Sequence, residues 1–292
     1  MPFITLHPED ALYPPLLRSL PDFPEKLHVR GRAECLTEPS IAIVGSRKAS
    51  DYGCKVAETL SKSLAESGVT TVSGLAKGID TAVHSATLRA GGRTIAVMGT
   101  GPDRVFPFEN KGLADEICVA GAVITEFDPG TRGYPSNFPL RNRIIAGMSL
   151  GTVVVEAAER SGALITARLA AEAGREVFAV PGPITSPLSE GPNRLIAQGA
   201  KLTRGLEDIL EEVEALRHKI KRKAKGEPAG DAPVLTEDEQ ELLNLFSLEP
   251  LSIDHVLKKC SGGTGRAANT LLSLELKGAI RTLPGKRYVR AF

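Results

Sequence analysis

The sequence predicts a two-part chain: an α/β domain on a doubly wound, mostly parallel sheet, then a small C-terminal winged-helix domain. Three observations lead there. Between residues 41 and 210, short apolar runs alternate with longer amphipathic segments, the signature of βα units around a parallel sheet. Nearly every glycine-rich segment falls where one of those runs ends, and open α/β sheets bind ligands at that edge. Beyond residue 233 the pattern changes to helix, helix, helix, hairpin.

Residues 1–40 are a proline-rich lead-in that packs on the following domain and to which the sequence assigns no fold of its own. Residues 41–215 form the α/β domain. Its expected strands are IAIVG (41–45), VTTVSG (69–74), TIAVMG (94–99), AVITEF (122–127), TVVVEA (152–157) and EVFAVPG (176–182). Helices are expected over 52–67, 81–90, 140–147, 163–173 and 193–198. Gly68, Gly91, Gly147, Gly174 and Gly199 stand where a helix C-terminus favours a left-handed residue. Residues 216–233, HKIKRKAKGEPAGDAP at their centre, read as a basic linker. In residues 234–292, Thr236 and Glu239 form a capping-box pattern. Helices follow over 253–259 and 266–277, and AIRTLPGKRYVRAF closes the chain as two short strands. If that module meets DNA, the third helix presents Arg266 and Asn269 and the wing presents Arg281, Lys286, Arg287 and Arg290. The alternative is a protein-binding winged helix.

Composition narrows the function classes. A chain of 292 residues holds more than one domain on the usual scale of about 100–200 residues each. Its formal net charge of +1 excludes a uniformly basic surface, so any nucleic-acid site is a local patch. Cys35, Cys54, Cys118 and Cys260 form no CxxC pair or Cys/His cluster, which argues against a zinc site and against a disulfide framework. A reducing cytoplasm is the expected compartment. No signal-peptide pattern opens the chain, and no apolar run reaches the about 18 residues of a membrane span.

The segment NFPLRNRIIAG (137–147) is the most informative. Pro139 suits a first helical position, which sets Arg141 and Arg143 in the first turn, where each cation opposes the helix dipole by about 0.3–1 kcal/mol. A bound anion reverses that balance, and arginine's planar fork matches phosphate. The alternative is that one or both arginines bind carboxylates or cap carbonyls. Residues two apart on a helix cannot face the same way, so which of the two faces a ligand is open.

Other rim segments repeat the theme. Gly45, Ser46 and Arg47 lie just before an expected helix, where backbone N–H groups attract phosphate. Lys77 stands among the glycines of SGLAKGID, with Asp80 as the expected N-cap. Asp80 and His84 are four apart on one face and could be drawn as an acid/base pair, although His84 reads better as a packing residue. Glu156 is the remaining candidate general base. Ser161, Thr166 and Arg168 read as backbone or phosphate contacts. No GxxxxGK[ST] or GxGxxG occurs, which disfavours a P-loop ATPase and a nicotinamide dehydrogenase. Phe106, Phe108, Tyr134 and Phe138 interleave with the cations, as in sites for single-stranded nucleic acid.

These motifs, together with TIAVMGTGPDRVFPFEN, GTVVVEAAERSGALITARLAAEAGREVFAVPG and GPNRLIAQGA, resemble the DNA-processing protein A (DprA/Smf) family. The resemblance implies an extended Rossmann-like domain, a homodimer, and no catalysis or cofactor. It implies binding of single-stranded DNA and loading of the RecA recombinase on incoming strands during natural transformation. Carried over by motif, the DNA contacts are Gly45, Ser46, Arg47, Arg132, Phe138, Arg141, Asn142 and Arg143, with Lys77 and Asn110 as weaker members. Two departures stand out. Many relatives carry a helical domain ahead of the YPxxL motif, which begins here at Tyr13, and this chain is expected to lack it. Relatives often place a lysine between the proline and asparagine of FPFEN, where this chain has Phe108 and Glu109. Two competing readings are a nucleoside-monophosphate hydrolase, whose PGGxGTxxE motif GTVVVE at 151–156 echoes imperfectly, and a double-strand-binding regulator that uses the winged helix.

Overall fold

The computed structural model describes residues 2–217, 220, 236–243, 245, 251–252, 256, 269–271, 273–275, 277, 279–283 and 287–290. The chain divides into two compact units, Met1–Ala224 and Lys225–Phe292.

In the first unit nine strands share one sheet: β1 (Ile4–Leu6), β2 (Leu27–Gly31), β3 (Ser40–Val44), β4 (Thr70–Ser73), β5 (Thr94–Val97), β6 (Ala122–Thr125), β7 (Gly151–Val154), β8 (Glu176–Ala179) and β9 (Lys201–Leu202). Their spatial order is β1-β2-β6-β5-β4-β3-β7-β8-β9. From β6 through β9 all pairs are parallel. The lead-in adds β2 and β1 antiparallel at one edge. The central strands β3 to β7 are buried throughout, as expected for a parallel sheet covered on both faces. The chain steps outward from β3 to β6 and then returns to β7 beside β3, which puts the switch point between β3 and β7.

Helices α1 (Pro15–Arg18), α2 (Asp51–Glu66), α3 (Ile79–Arg89), α4 (Lys111–Ala120), α5 (Asn137–Gly147), α6 (Gly162–Glu172), α7 (Glu190–Ala197) and α8 (Leu206–Glu212) connect and cover the strands. The period-2 alternation of β3 sorts the core. Ile41 and Ile43 pack with Leu60, Leu64 and Val83 from α2 and α3. Ala42 and Val44 face the opposite cluster, which contains Ile144 and Ile145 of α5 and Tyr13, Leu17 and Leu20 of the lead-in. Tyr13 is fully buried and its hydroxyl donates to the Pro24 carbonyl at 2.6 Å.

The observed elements differ from the expectation in informative ways. Helices α1, α4 and α8 and strands β1, β2 and β9 go beyond the expected elements. Four of the five glycines expected to be left-handed are so, at φ 76, 69, 66 and 103° for Gly68, Gly91, Gly174 and Gly199. Gly147 instead ends α5 inside the helix, where a Cβ would lie 2.4 Å from Leu20 Cδ1. Close approach of the lead-in, rather than backbone conformation, explains it.

In the second unit, helix Glu237–Leu243 opens with a reciprocal capping box. Thr236 N donates to Glu239 Oε2 at 2.7 Å, and Glu239 N donates to Thr236 Oγ1 at 3.4 Å. The Glu239 carboxylate also accepts from Lys277 and Ser273, and these contacts hold its pKa down at about 2. Leu242, Leu243, Val256, Leu271, Leu274 and Ile280 form the core. The expected hairpin is present as β11 (Ile280–Leu283) and β12 (Arg287–Arg290), with β10 (Leu251–Ser252) as an unanticipated third strand on β12. The expected linker and second helix lie almost entirely outside the described residues, as do Arg266 and Lys286.

Among the described residues no helix is long and apolar enough to cross a membrane, and no group of His, Cys, Asp and Glu could hold a metal ion.

Candidate nucleic-acid interface

A crevice of about 180 Å³ opens beyond the carboxyl ends of β3, β4 and β5, lined by Arg47, Gly74, Ala76, Lys77, Phe106, Pro107, Phe138 and Arg141. Two interlocked turns build one wall. Gly45 follows β3 so closely against α3 that a Cβ would sit 2.5 Å from Ile79 Cγ1. Gly78, at φ +77°, has the Ser46 carbonyl 2.3 Å from where its Cβ would be. The Ile79 N–H donates to that same carbonyl at 3.2 Å. Only a left-handed glycine fits there, and it fixes the path of Ser46 and Arg47.

The aromatic wall comes from the first turn of α5 and from the loop after β5. Phe138 on α5 packs over Gly99, where a Cβ would lie 2.9 Å from the ring. Phe106 lies beside it, ring centroids 5.4 Å apart and planes tilted by 37°. The exposed Arg47 guanidinium carbon stands 5.3 Å from the Phe138 centroid, within cation–π range. Arg132 and Tyr134 are exposed on the preceding loop. Asn137 pins that loop by donating to the Arg132 carbonyl at 3.2 Å and the Gly99 carbonyl at 3.1 Å. Lys77, more than half exposed, pairs with Glu109 at 2.6 Å.

The two arginines of α5 depart from the phosphate-clamp expectation. The helix begins at Asn137 rather than at Pro139, which puts Arg141 and Arg143 beyond the first turn. Arg141 is 4% exposed and forms the crevice floor. Its guanidinium donates to the Gly74 carbonyl at 2.6 Å, to the Val97 carbonyl, and to Asn142 Oδ1 at 3.2 Å. It faces the buried Asp80, and burial lowers its own pKa to about 10. A Cβ on Gly74 would lie 2.7 Å from both the guanidinium and the Asp80 carboxylate. Arg143 donates to both oxygens of Glu126, at 2.8 and 2.6 Å, and reaches Asp22 at 3.2 Å. One arginine thus caps carbonyls and the other binds carboxylates, and neither presents a free fork to solvent.

Several other expected site residues turn out to shape the rim from beneath. Asn110 is buried and donates to the Leu75 carbonyl at 2.8 Å and to Thr81 Oγ1 at 3.0 Å. Asn142 is buried and donates to the Gly162 carbonyl at 3.3 Å. Asp80 is not the N-cap of α3, a place taken by Gly78. It lies inside the helix, and its carboxylate accepts from the N–H groups of Gly74 and Ala76 at 3.1 and 3.2 Å. Burial pushes its pKa up. His84 is fully buried with Nδ1 2.7 Å from Thr94 Oγ1, and burial lowers its pKa to about 3. It packs and does not pair with Asp80 as acid and base.

The N-terminus of α2 also differs from expectation. Ser46 lies four residues ahead of the N-cap, Ser50. The position a phosphate would take is filled by Glu156, which accepts from Ser50 N at 2.9 Å and from Ser50 Oγ. A Cβ on Gly53 would lie 2.3 Å from Glu156 Oε2. That glycine, third in the helix, is the sequence signal that something approaches there.

Residues 4–214 match the family model for DNA recombination-mediator protein A, and residues 226–286 match the DprA winged helix domain. Protein Smf of Escherichia coli (strain K12) is 41% identical over 297 residues, which cover 98% of this chain and 77% of that protein. DNA processing protein DprA of Streptococcus pneumoniae is 47% identical over 205 residues, 70% of this chain and 72% of that protein. The X-ray structure of that DprA superposes with a TM-score of 0.70 at 46% identity, covering 72% of this chain and 74% of its own. DNA processing protein A from Helicobacter pylori, solved for its single-stranded DNA binding mode, superposes with a TM-score of 0.65 at 28% identity, covering 74% of this chain and 96% of its own. The chain belongs to the DNA recombination-mediator protein A family, the DNA-processing proteins DprA and Smf.

Proposed function

We propose that this protein binds single-stranded DNA in the crevice at Arg47 and acts as a recombination mediator, as a homodimer that loads RecA on incoming strands in natural transformation. One observation carries the DNA assignment. An exposed guanidinium lies over one ring of an aromatic pair in an open crevice, a combination of charge and stacking surface that suits a nucleic-acid strand without sequence preference. Gly45 and Ser46 set the backbone at that point, Arg47 and Arg132 meet phosphates, and Phe138 stacks with a base. Arg141, Asn110 and Asn142 hold the surface in shape. The description of the matched family supports the mediator role; RecA loading and the homodimer are the finer part of the proposal.

A nucleoside-monophosphate hydrolase draws no support from the site. Its candidate base, Glu156, is buried and engaged at the end of α2, outside the crevice that holds the cation and aromatics.

Fluorescence anisotropy with oligo-dT across a salt series tests the reading. Arg47→Ala is expected to weaken binding and to flatten the log affinity against log salt slope by about 0.7, the contribution of one phosphate on a single strand. Wild-type affinity and slope in this variant would overturn the assignment.

A further inference from the structure

Phe108 is the most exposed aromatic on the rim, with 76% of its surface open to solvent. It starts a one-turn helix, Phe108–Asn110, directly after two residues that line the crevice, Phe106 and Pro107. The turn is held rigidly. Asn110 fastens its far end to the carbonyls of Leu75 and Ala76 and to the Thr81 hydroxyl. Glu109 reaches across to Lys77 on the opposite lip at 2.6 Å, so the charge of that lysine is matched by a carboxylate. The lip therefore carries a large apolar ring on a pinned turn whose next residue, Glu109, is paired with Lys77. A single exposed ring needs no explanation on an ordinary surface; a ring on a turn pinned by Asn110, next in the chain to two residues that line the crevice, is placed for stacking.

We infer that Phe108 is a second base platform, outside the crevice, which grips a neighbouring nucleotide by stacking where Glu109 has cancelled the charge of Lys77. This rests on the reading of the crevice as a single-strand site and adds a specificity rule to it. Binding at the Arg47 side is electrostatic and salt-sensitive, whereas binding at the Phe108 side is apolar and salt-insensitive.

The chain contains no tryptophan, which makes Phe108→Trp a single fluorescent reporter. Phe108→Ala is expected to lower oligo-dT affinity about 5- to 150-fold, the usual worth of one base–aromatic stack, with the salt slope unchanged. Phe108→Trp is expected to restore affinity and to be quenched as the oligonucleotide binds. Glu109→Gln, which releases Lys77, is expected to tighten binding and steepen the slope by about 0.7. Wild-type affinity in Phe108→Ala, a flattened slope in that variant, or an unquenched Phe108→Trp at saturation would each overturn the inference. Failure of the unaltered protein to bind oligo-dT would overturn the single-strand reading itself, so the two failures are distinct.

Discussion

Replacing Arg141 with methionine separates a tie inside the protein from a contact with DNA. The guanidinium is 4% exposed, caps the carbonyls that end β4 and β5, and faces the buried carboxylate of Asp80. Removing the guanidinium orphans the two carbonyls and leaves the buried Asp80 carboxylate without the cation that faces it, a combined cost of about 3–5 kcal/mol at about 1–3 kcal/mol for each group left unsatisfied. For a domain of this size each kcal/mol is about 2–4 °C of Tm, so Arg141→Met is expected to lower Tm by about 6–20 °C. Asp80→Asn in the same chain removes the stranded charge and is expected to recover part of that loss. The pH dependence has a definite sign. Burial raises the Asp80 pKa and Arg141 pulls it back, so in Arg141→Met it rises further. The folded variant then holds a proton that the unfolded chain releases, and it gains stability as pH falls toward the ordinary carboxylate range and loses it as pH rises through the raised pKa. Thermal melts at several pH values, paired with oligo-dT titrations, read all of this. A stability loss below about 1 kcal/mol with affinity falling nonetheless would refute the reasoning and make Arg141 a DNA contact.

Two further outcomes follow from the geometry. Gly78→Ala forces a side chain into a left-handed position with the Ser46 carbonyl 2.3 Å from its Cβ; a loss of about 1–3 kcal/mol in urea unfolding and weaker oligo-dT binding through a displaced Arg47 are expected, and unchanged values would break the link between the two turns. Burial lowers the His84 pKa to about 3, so its stabilising contribution is full above pH 6.5 and fades as pH falls toward 3, because the unfolded chain takes up the proton first; an NMR titration showing His84 protonated near pH 6.5 would contradict this.

Most of the fold was legible because its signals are local. The apolar runs marked six strands to within a few residues, and four helix-ending glycines have the backbone angle expected of them. Helix α4, KGLADEICVA, has too short an apolar stripe, directly after a loop interrupted by Pro102 and Pro107, for periodicity to mark it. The lead-in strands carry no pattern of their own, because β1 and β2 become strands only by pairing with a sheet edge already formed.

The candidate site was legible as a set of segments and not as a set of contacts. Sequence alone determined the six strands β3 to β8 of the sheet, the rim on which GSR, GLAKGID and NFPLRNR would gather, and the family. Tertiary structure alone decided which cations remain available. Arg141 finds its carbonyls 67 and 44 residues away and is consumed by them, Arg143 is held by Glu126 and Asp22, and Arg47 stays exposed over Phe138. Periodicity and glycine conformation act between near neighbours in the chain. The fate of a long charged side chain depends on which distant carbonyl or carboxylate the fold brings within about 3 Å of it and on whether water reaches the place.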